Sequence, residues 1–349
     1  MTQRSQGVRA RAPLRLGLGG GGTDLASYYD AHGGGVLNAT IDRYAYAHLA
    51  PGEGDHLVFV ADDLQAEERL PLALDFDIRE GLRLHRAVYR RMMRDFNGGR
   101  PAAWRVTTTI DVPQGSGLGA SSALVVAMIQ AFALALDVAL GPYEIAQLAY
   151  DIERDDLALM GGKQDQYAAA FGGVNFTEFL PGRAGVIVNP LRLRPDVLKE
   201  FESSLVICFS GQSRLSSDII EAQVRGLDDM DAATLESMHA IKRHAVQMKS
   251  QLVAGHIRDM ARALHESWLA KKATARQVSS SSVETLLTVA LNAGAWAGKV
   301  SGAGGGGFIM LLVDPSRRYG LIRALNAAGG DASAVKLTFE GVEAWWAPA

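Results

Sequence analysis

The run Pro113-Gln114-Gly115-Ser116-Gly117-Leu118-Gly119-Ala120-Ser121-Ser122 joins two segments of different periodicity. Upstream, Ala103 to Asp111 alternates. Trp104, Val106, Thr108 and Ile110 share one face and Arg105, Thr107, Thr109 and Asp111 the other, as in a half-buried strand. Downstream, Ala120 to Leu136 is apolar almost throughout and predicts a buried helix. A glycine loop that opens a helix offers unpaired N–H groups and the positive end of a dipole, which suits a phosphate. Glycine also lets the backbone approach a ligand, and successive amides form an anion-binding concavity. Ser121 and Ser122 stand at the helix start, where a hydroxyl could reach a bound metal. The plainer alternative is that the glycines make tight turns and the serines cap a helix.

Two more runs weigh against turns alone: Gly17-Leu18-Gly19-Gly20-Gly21-Gly22-Thr23-Asp24 and Val300-Ser301-Gly302-Ala303-Gly304-Gly305-Gly306-Gly307-Phe308. The chain has 38 glycines in 349 residues, and they are clustered. No stretch fits G-x-x-x-x-G-K-[ST]. G-x-G-x-x-G/A does occur at Gly17, Gly115 and Gly302, and Asp42 follows the first run as a ribose-binding acid would. Yet Arg11-Ala12-Pro13-Leu14-Arg15 is poor material for a buried parallel strand, and Gly33-Gly34-Gly35 leaves little room for a crossover helix. A dinucleotide site is therefore disfavoured.

Further strands are expected at Val36–Leu49, His56–Val60, Val174–Phe179, Gly185–Leu191, Ser204–Phe209, Phe308–Val313 and Val335–Phe339. Helices are expected at Ile78–Asn97, Tyr143–Leu159, Asp165–Phe171 and Tyr319–Ala328. Two helical stripes, Leu235 to Leu252 and Ile257 to Trp268, precede a capping box at Ser281 and Glu284. The mixture predicts an α+β protein of two domains, 1–188 and 189–349, divided in the Pro/Gly/Arg-rich stretch Pro181 to Pro195. A net charge of -3 without a basic run argues against nucleic acid. The single Cys208 allows neither a disulfide nor a zinc framework, and Met1 to Arg11 is no secretory signal. A cytoplasmic protein with no membrane partner is expected.

In these motifs and their order the chain resembles the GHMP kinases, which include galactokinases and homoserine, mevalonate and phosphomevalonate kinases. Pro113 to Ser122 is similar to that family's phosphate loop, and Ser301 to Phe308 to its C-terminal glycine motif. Arg11-Ala12-Pro13-Leu14-Arg15 followed by Thr23-Asp24 is similar to the galactokinase opening, but Gly21-Gly22 replace the acidic residue and histidine of a galactose pocket. The first run and Gly161-Gly162-Lys163-Gln164-Asp165-Gln166-Tyr167 look most like the D-glycero-D-manno-heptose 7-phosphate kinases. The resemblance implies a ribosomal protein S5 domain 2-like domain followed by a ferredoxin-like domain. It implies ATP and Mg2+ as cofactors, a sugar phosphate as substrate and a second copy of the chain as partner in a homodimer. Asp165 would be the base and Arg15 its cationic partner. Gly115, Ser116, Gly117, Leu118, Gly119, Ala120, Ser121 and Ser122 would hold ATP, and Ser121 with Glu153 the metal. Chemistry alone does not separate Glu153 from Asp151, Asp155 or Asp156. Gly20, Gly21, Gly22, Thr23, Asp24 and Gly304 would meet the sugar, and Arg214, with Lys272 behind it, its phosphate. The alternatives are a galactokinase- or fucokinase-like enzyme, or a non-catalytic sugar-nucleotide sensor on the same scaffold.

Overall fold

The computed structural model describes residues 7–348 apart from 53, 183–184, 212–220, 222–223, 225–230 and 275–277. The chain runs β1 (Val8–Gly19), α1 (Ala26–His32), β2 (Gly34–Pro51), β3 (His56–Ala61), β4 (Ala66–Pro71), α2 (Arg83–Phe96), β5 (Trp104–Ile110), α3 (Ala120–Ala135), α4 (Pro142–Asp151), α5 (Gln164–Phe171), β6 (Val174–Phe179) and β7 (Val186–Pro190). It continues α6 (Pro195–Ser204), β8 (Leu205–Phe209), α7 (Ala232–Ala254), α8 (Ile257–Thr274), α9 (Ser281–Asn292), β9 (Ala295–Val300), β10 (Phe308–Val313), α10 (Arg318–Ala327), β11 (Asp331–Ala334) and β12 (Glu343–Trp346).

The first sheet has the order β12-β1-β2-β5-β3-β4, with β6 on the first half of β2 and β7 on β6. Pro13 survives inside β1 because the register shifts between Pro13 and Leu14, a bulge that spares a ladder N–H. β1 is central, but antiparallel to both neighbours. Helix α3 is buried around most of its circumference and packs on β1 and β2, as an all-apolar helix must. The second sheet has the order β11-β8-β10-β9, and all its pairings are antiparallel. With α9 before β9 and α10 between β10 and β11, this is a ferredoxin-like β-α-β-β-α-β unit.

Three expectations need correction. The boundary at 188/189 falls inside β7, which pairs with β6, so the first sheet holds the chain to Pro190. It also takes the chain back at its end, because β12 pairs with β1. The strand expected at Val335–Phe339 is instead β11 at Asp331–Ala334. Beyond it Leu337 makes an isolated bridge to Ile41, and Phe339 is exposed. The cap of α9 is Ser280, whose hydroxyl accepts from Val283 N–H at 3.4 Å, while Glu284 turns to Lys272. Among the described residues no helix is long and apolar enough to cross a membrane.

Candidate active site

The glycine loop before α3 rests on the last glycine run, backbone against backbone. Phe308 N–H donates to the Ser116 carbonyl at 2.8 Å. A Cβ on Gly117 would stand 2.5 Å from the Ser301 carbonyl oxygen, and one on Gly302 2.6 Å from that of Gly117. Both glycines also have positive φ, so no other residue allows this approach without strain. Above the two loops opens a cavity of about 600 Å³. Gly115, Ser116, Gly117, Gly119, Ala120, Ser121 and Ser122 line it. The Leu118 side chain is in the core, and its carbonyl accepts Arg15 N–H at 3.0 Å. Gly304 is a correction: it packs against Val278, while Gly302 and Ala303 face the cavity.

Arg15 and Asp165 meet in the cavity wall from β1 and α5. The guanidinium Nε and Nη2 both donate to Asp165 Oδ1, at 2.8 and 2.6 Å. Nη1 donates to the Gly117 carbonyl at 2.6 Å and to Ser301 Oγ at 3.3 Å. One buried arginine thus ties both glycine runs to the carboxylate. Asp165 is no helix cap; it lies inside α5 and spends its charge on Arg15. A Cβ on Gly119 would be 3.2 Å from Asp165 Cγ, so the loop and the carboxylate are immediate neighbours.

Asp24 lies in the same wall. Its carboxylate accepts from Gly22 N–H at 2.9 Å, Gln164 N–H at 3.1 Å and Gln164 Nε2 at 3.1 Å. Burial pushes its pKa up, and the backbone amides oppose that. Gly162 makes the position possible, because a Cβ there would stand 1.9 Å from Asp24 Oδ2. Of the other residues expected to meet the sugar, Gly22 lines the cavity and Gly21 lies against Gln164 and Lys271. Thr23 is a correction. Its buried hydroxyl donates to the Gly20 carbonyl at 2.7 Å and accepts from Gly35 N–H at 3.1 Å, so Thr23 and Gly20 build the turn.

Helix α4 widens after Asp151 into a π-turn, Ile152–Asp156, which turns Glu153 inward. Glu153 is 2% exposed. It accepts from Ser122 Oγ at 3.0 Å and from Gln166 Nε2, and burial raises its pKa. Ser121 is exposed on the cavity side and Ser122 is the partner of Glu153. Asp156 pairs with Arg91 at 3.0 Å and Asp151 accepts from Gln147, which separates them from Glu153. Among the described residues no cluster of three or more His, Cys, Asp or Glu could cage a metal. Mg2+ needs no such cage when phosphates and water complete its octahedron. The Ser116 hydroxyl, in the loop that lines the same cavity, is buried and has no hydrogen-bond partner among the described residues, a further hard oxygen beside the site. This donor set fits Mg2+.

Arg214 lies outside the described residues. Lys272 pairs with Glu284 at 3.2 Å, and its neighbour Lys271 enters the cavity wall instead. Leu264, Trp268 and Lys271 share the buried face of α8, so a charge on an apolar helical stripe was the available signal.

Comparison with known proteins gives a consistent result. Residues 83–173 match the model for the GHMP kinases N terminal domain, and residues 248–331 that for the GHMP kinases C terminal. The D-glycero-alpha-D-manno-heptose 7-phosphate kinase of Campylobacter jejuni is 43% identical over 97% of this chain and 98% of its own. A D-glycero-D-manno-heptose 1-phosphate kinase from Bacteroides thetaiotaomicron superposes with a TM-score of 0.83 at 40% identity, covering 98% of this chain and 100% of that one. Lactococcus lactis galactokinase, at 17% identity over 97% of this chain and 95% of its own, shares the fold with a TM-score of 0.77.

Proposed function

The chain belongs to the GHMP kinase family, and from that premise we propose that it transfers a phosphoryl group from ATP to the anomeric hydroxyl of D-glycero-D-manno-heptose 7-phosphate. The product is the 1,7-bisphosphate, and the reading places the reaction in the cytoplasm, ahead of nucleotide-heptose formation. The observation that carries it is the Arg15–Asp165 pair, which lies in one cavity between the Gly115–Gly119 loop and Asp24.

In this reading the loop amides and the start of α3 hold the phosphates of ATP. Arg15 neutralises charge that builds on the transferring group. Asp165 orients the acceptor hydroxyl and takes its proton as the new O–P bond forms and the bond to the ADP oxygen breaks. Asp24 orients the sugar through its hydroxyls. Ser122 and Glu153, with Ser121 beside them, would hold Mg2+, which supplies further neutralisation of the phosphates.

ADP release should be measured with ATP-Mg and a panel of heptose 7-phosphate, heptose 1-phosphate, galactose, fucose and mevalonate. Release confined to heptose 7-phosphate is expected. Turnover of the 1-phosphate alone would move the acceptor to the other end of the sugar. Equal turnover of galactose or fucose would overturn the heptose assignment, and nucleotide binding without turnover of any sugar would make the protein a sensor.

A further inference from the structure

Lys271 has no part in the mechanism above, yet it is built into the same cavity. It is 3% exposed, one turn from the end of α8, and its Nζ donates to the Gly302 carbonyl at 2.5 Å. A Cβ on Gly21 would lie 3.6 Å from that Nζ. Lys271 therefore stands where the first and last glycine runs converge, beside Gln164 and Asp24. Among the described residues no carboxylate oxygen comes within 4.0 Å of it, and the carbonyl of Gly302 uses one of its three protons. An ammonium withdrawn from water without an ion pair is costly, and a fold that needed only a strut could use an apolar side chain there. A site that receives an oxygen-rich, anionic ligand recovers that cost on binding.

We propose that Lys271 is a further catalytic residue, delivered by α8 to touch the sugar acceptor and hold its reacting oxygen beside the Arg15–Asp165 pair; this rests on the kinase reading above. The remaining protons of Nζ are the donors. The charged groups around it are Asp24 after β1, Asp165 on α5, Arg15 on β1 and Lys299 on β9. Burial lowers the Lys271 pKa to about 8, Asp24 and Asp165 hold it up, and Arg15 adds to the lowering. At neutral pH it is mainly a cation, and it loses that charge in a measurable range.

The test compares wild type, K271M and K271R as full chains, with ATP-Mg and heptose 7-phosphate. K271M should lower kcat/KM for the sugar by at least about a hundredfold, the scale of losing a donor at a developing charge. Its KM for ATP should stay within about threefold, and K271R should keep at least a tenth of wild-type kcat/KM. Because K271M could melt early, the second readout uses K271R, which keeps the charge. Wild-type kcat/KM for the sugar should fall as pH rises through about 8. In K271R that limb should move up by at least one pH unit, since arginine stays charged. A wild-type profile flat to pH 9, a limb that K271R leaves in place, or K271M within threefold of wild type would overturn the proposal. So would a K271M that loses ATP and sugar affinity equally, the behaviour of a strut for the Gly302 loop. Wild type that releases no ADP with heptose 7-phosphate overturns the substrate assignment alone. The variants are then compared on the panel sugar that does react, and if none reacts both readings fall.

Discussion

Asp165 keeps one oxygen bound twice by Arg15 and leaves the rest of its carboxylate to the cavity, as the proton-accepting role proposed for it requires. Asp165→Asn should lower kcat by at least about a hundredfold with little change in KM for ATP. Steady-state kinetics decide this, and full activity would remove Asp165 from the chemistry. The two serines make a paired prediction. Ser122 bonds Glu153 and Ser121 does not, so Ser122→Ala should raise the Mg2+ concentration for half-maximal rate more than Ser121→Ala. The reverse order in a magnesium titration would return the metal to Ser121. His85 offers a test of stability. It is buried in the cavity wall, bonded to Thr108 Oγ1 at 2.9 Å, and burial lowers its pKa from 6.5 to about 4. Between those values the unfolded chain binds the proton and the folded one does not. Its contribution is therefore complete above about pH 6.5 and is lost as pH falls to about 4. The loss is on the order of 3 kcal/mol at most, at 1.36 kcal/mol per pH unit. His85→Gln should narrow the gap in denaturation midpoint between pH 7 and pH 4.5; an unchanged gap would show that other groups set the acid limb.

The three glycine runs do different things as elements. The run before α3 faces the ligand space, and the last run lets two backbones pack at carbonyl contact. In the first run Gly20 and Thr23 build the turn that presents Asp24. Gly302→Ala should therefore separate the two loops and raise KM for ATP by about tenfold or more, from steric contact and left-handed backbone strain together. Gly54→Ala is the control, since Gly54 also has positive φ but meets nothing within 4 Å. Equal effects of the two on KM for ATP would mean that backbone strain, and not loop contact, is being measured. Periodicity made legible those strands and helices that bury one face, and continuous apolar runs marked α3 and β10, which are buried all round. The π-turn was not legible, since Ile152-Glu153-Arg154-Asp155-Asp156 reads as the continuation of a polar helix end. Within this wider turn Glu153 meets Ser122 and Gln166, which come from α3 and α5.

At the scale of the molecule, the chain leaves the first sheet after Pro190, builds the ferredoxin-like layer, and returns to lay β12 against β1. Arg11 and Glu343 close that return with an ion pair at 2.8 Å. A fragment ending at 190 loses β12 and the Leu337 bridge and exposes an edge of β1. It should show no cooperative thermal transition, whereas the full chain should melt as a unit; a fragment with a sharp calorimetric peak of its own would refute this. The sequence by itself determined the α+β class, the loop that begins α3 and the family, because those depend on local period and on motifs contiguous in the chain. The resemblance to the family, and not the residues alone, named Arg15, Asp165, Asp24 and Glu153. Only tertiary structure decided which serine meets Glu153, that Lys271 and not Lys272 enters the cavity, and that the last strand belongs to the first sheet. Those choices are made between residues more than a hundred positions apart or between adjacent ones on a single helix. Local periodicity carries no information about which distant backbone a side chain will meet.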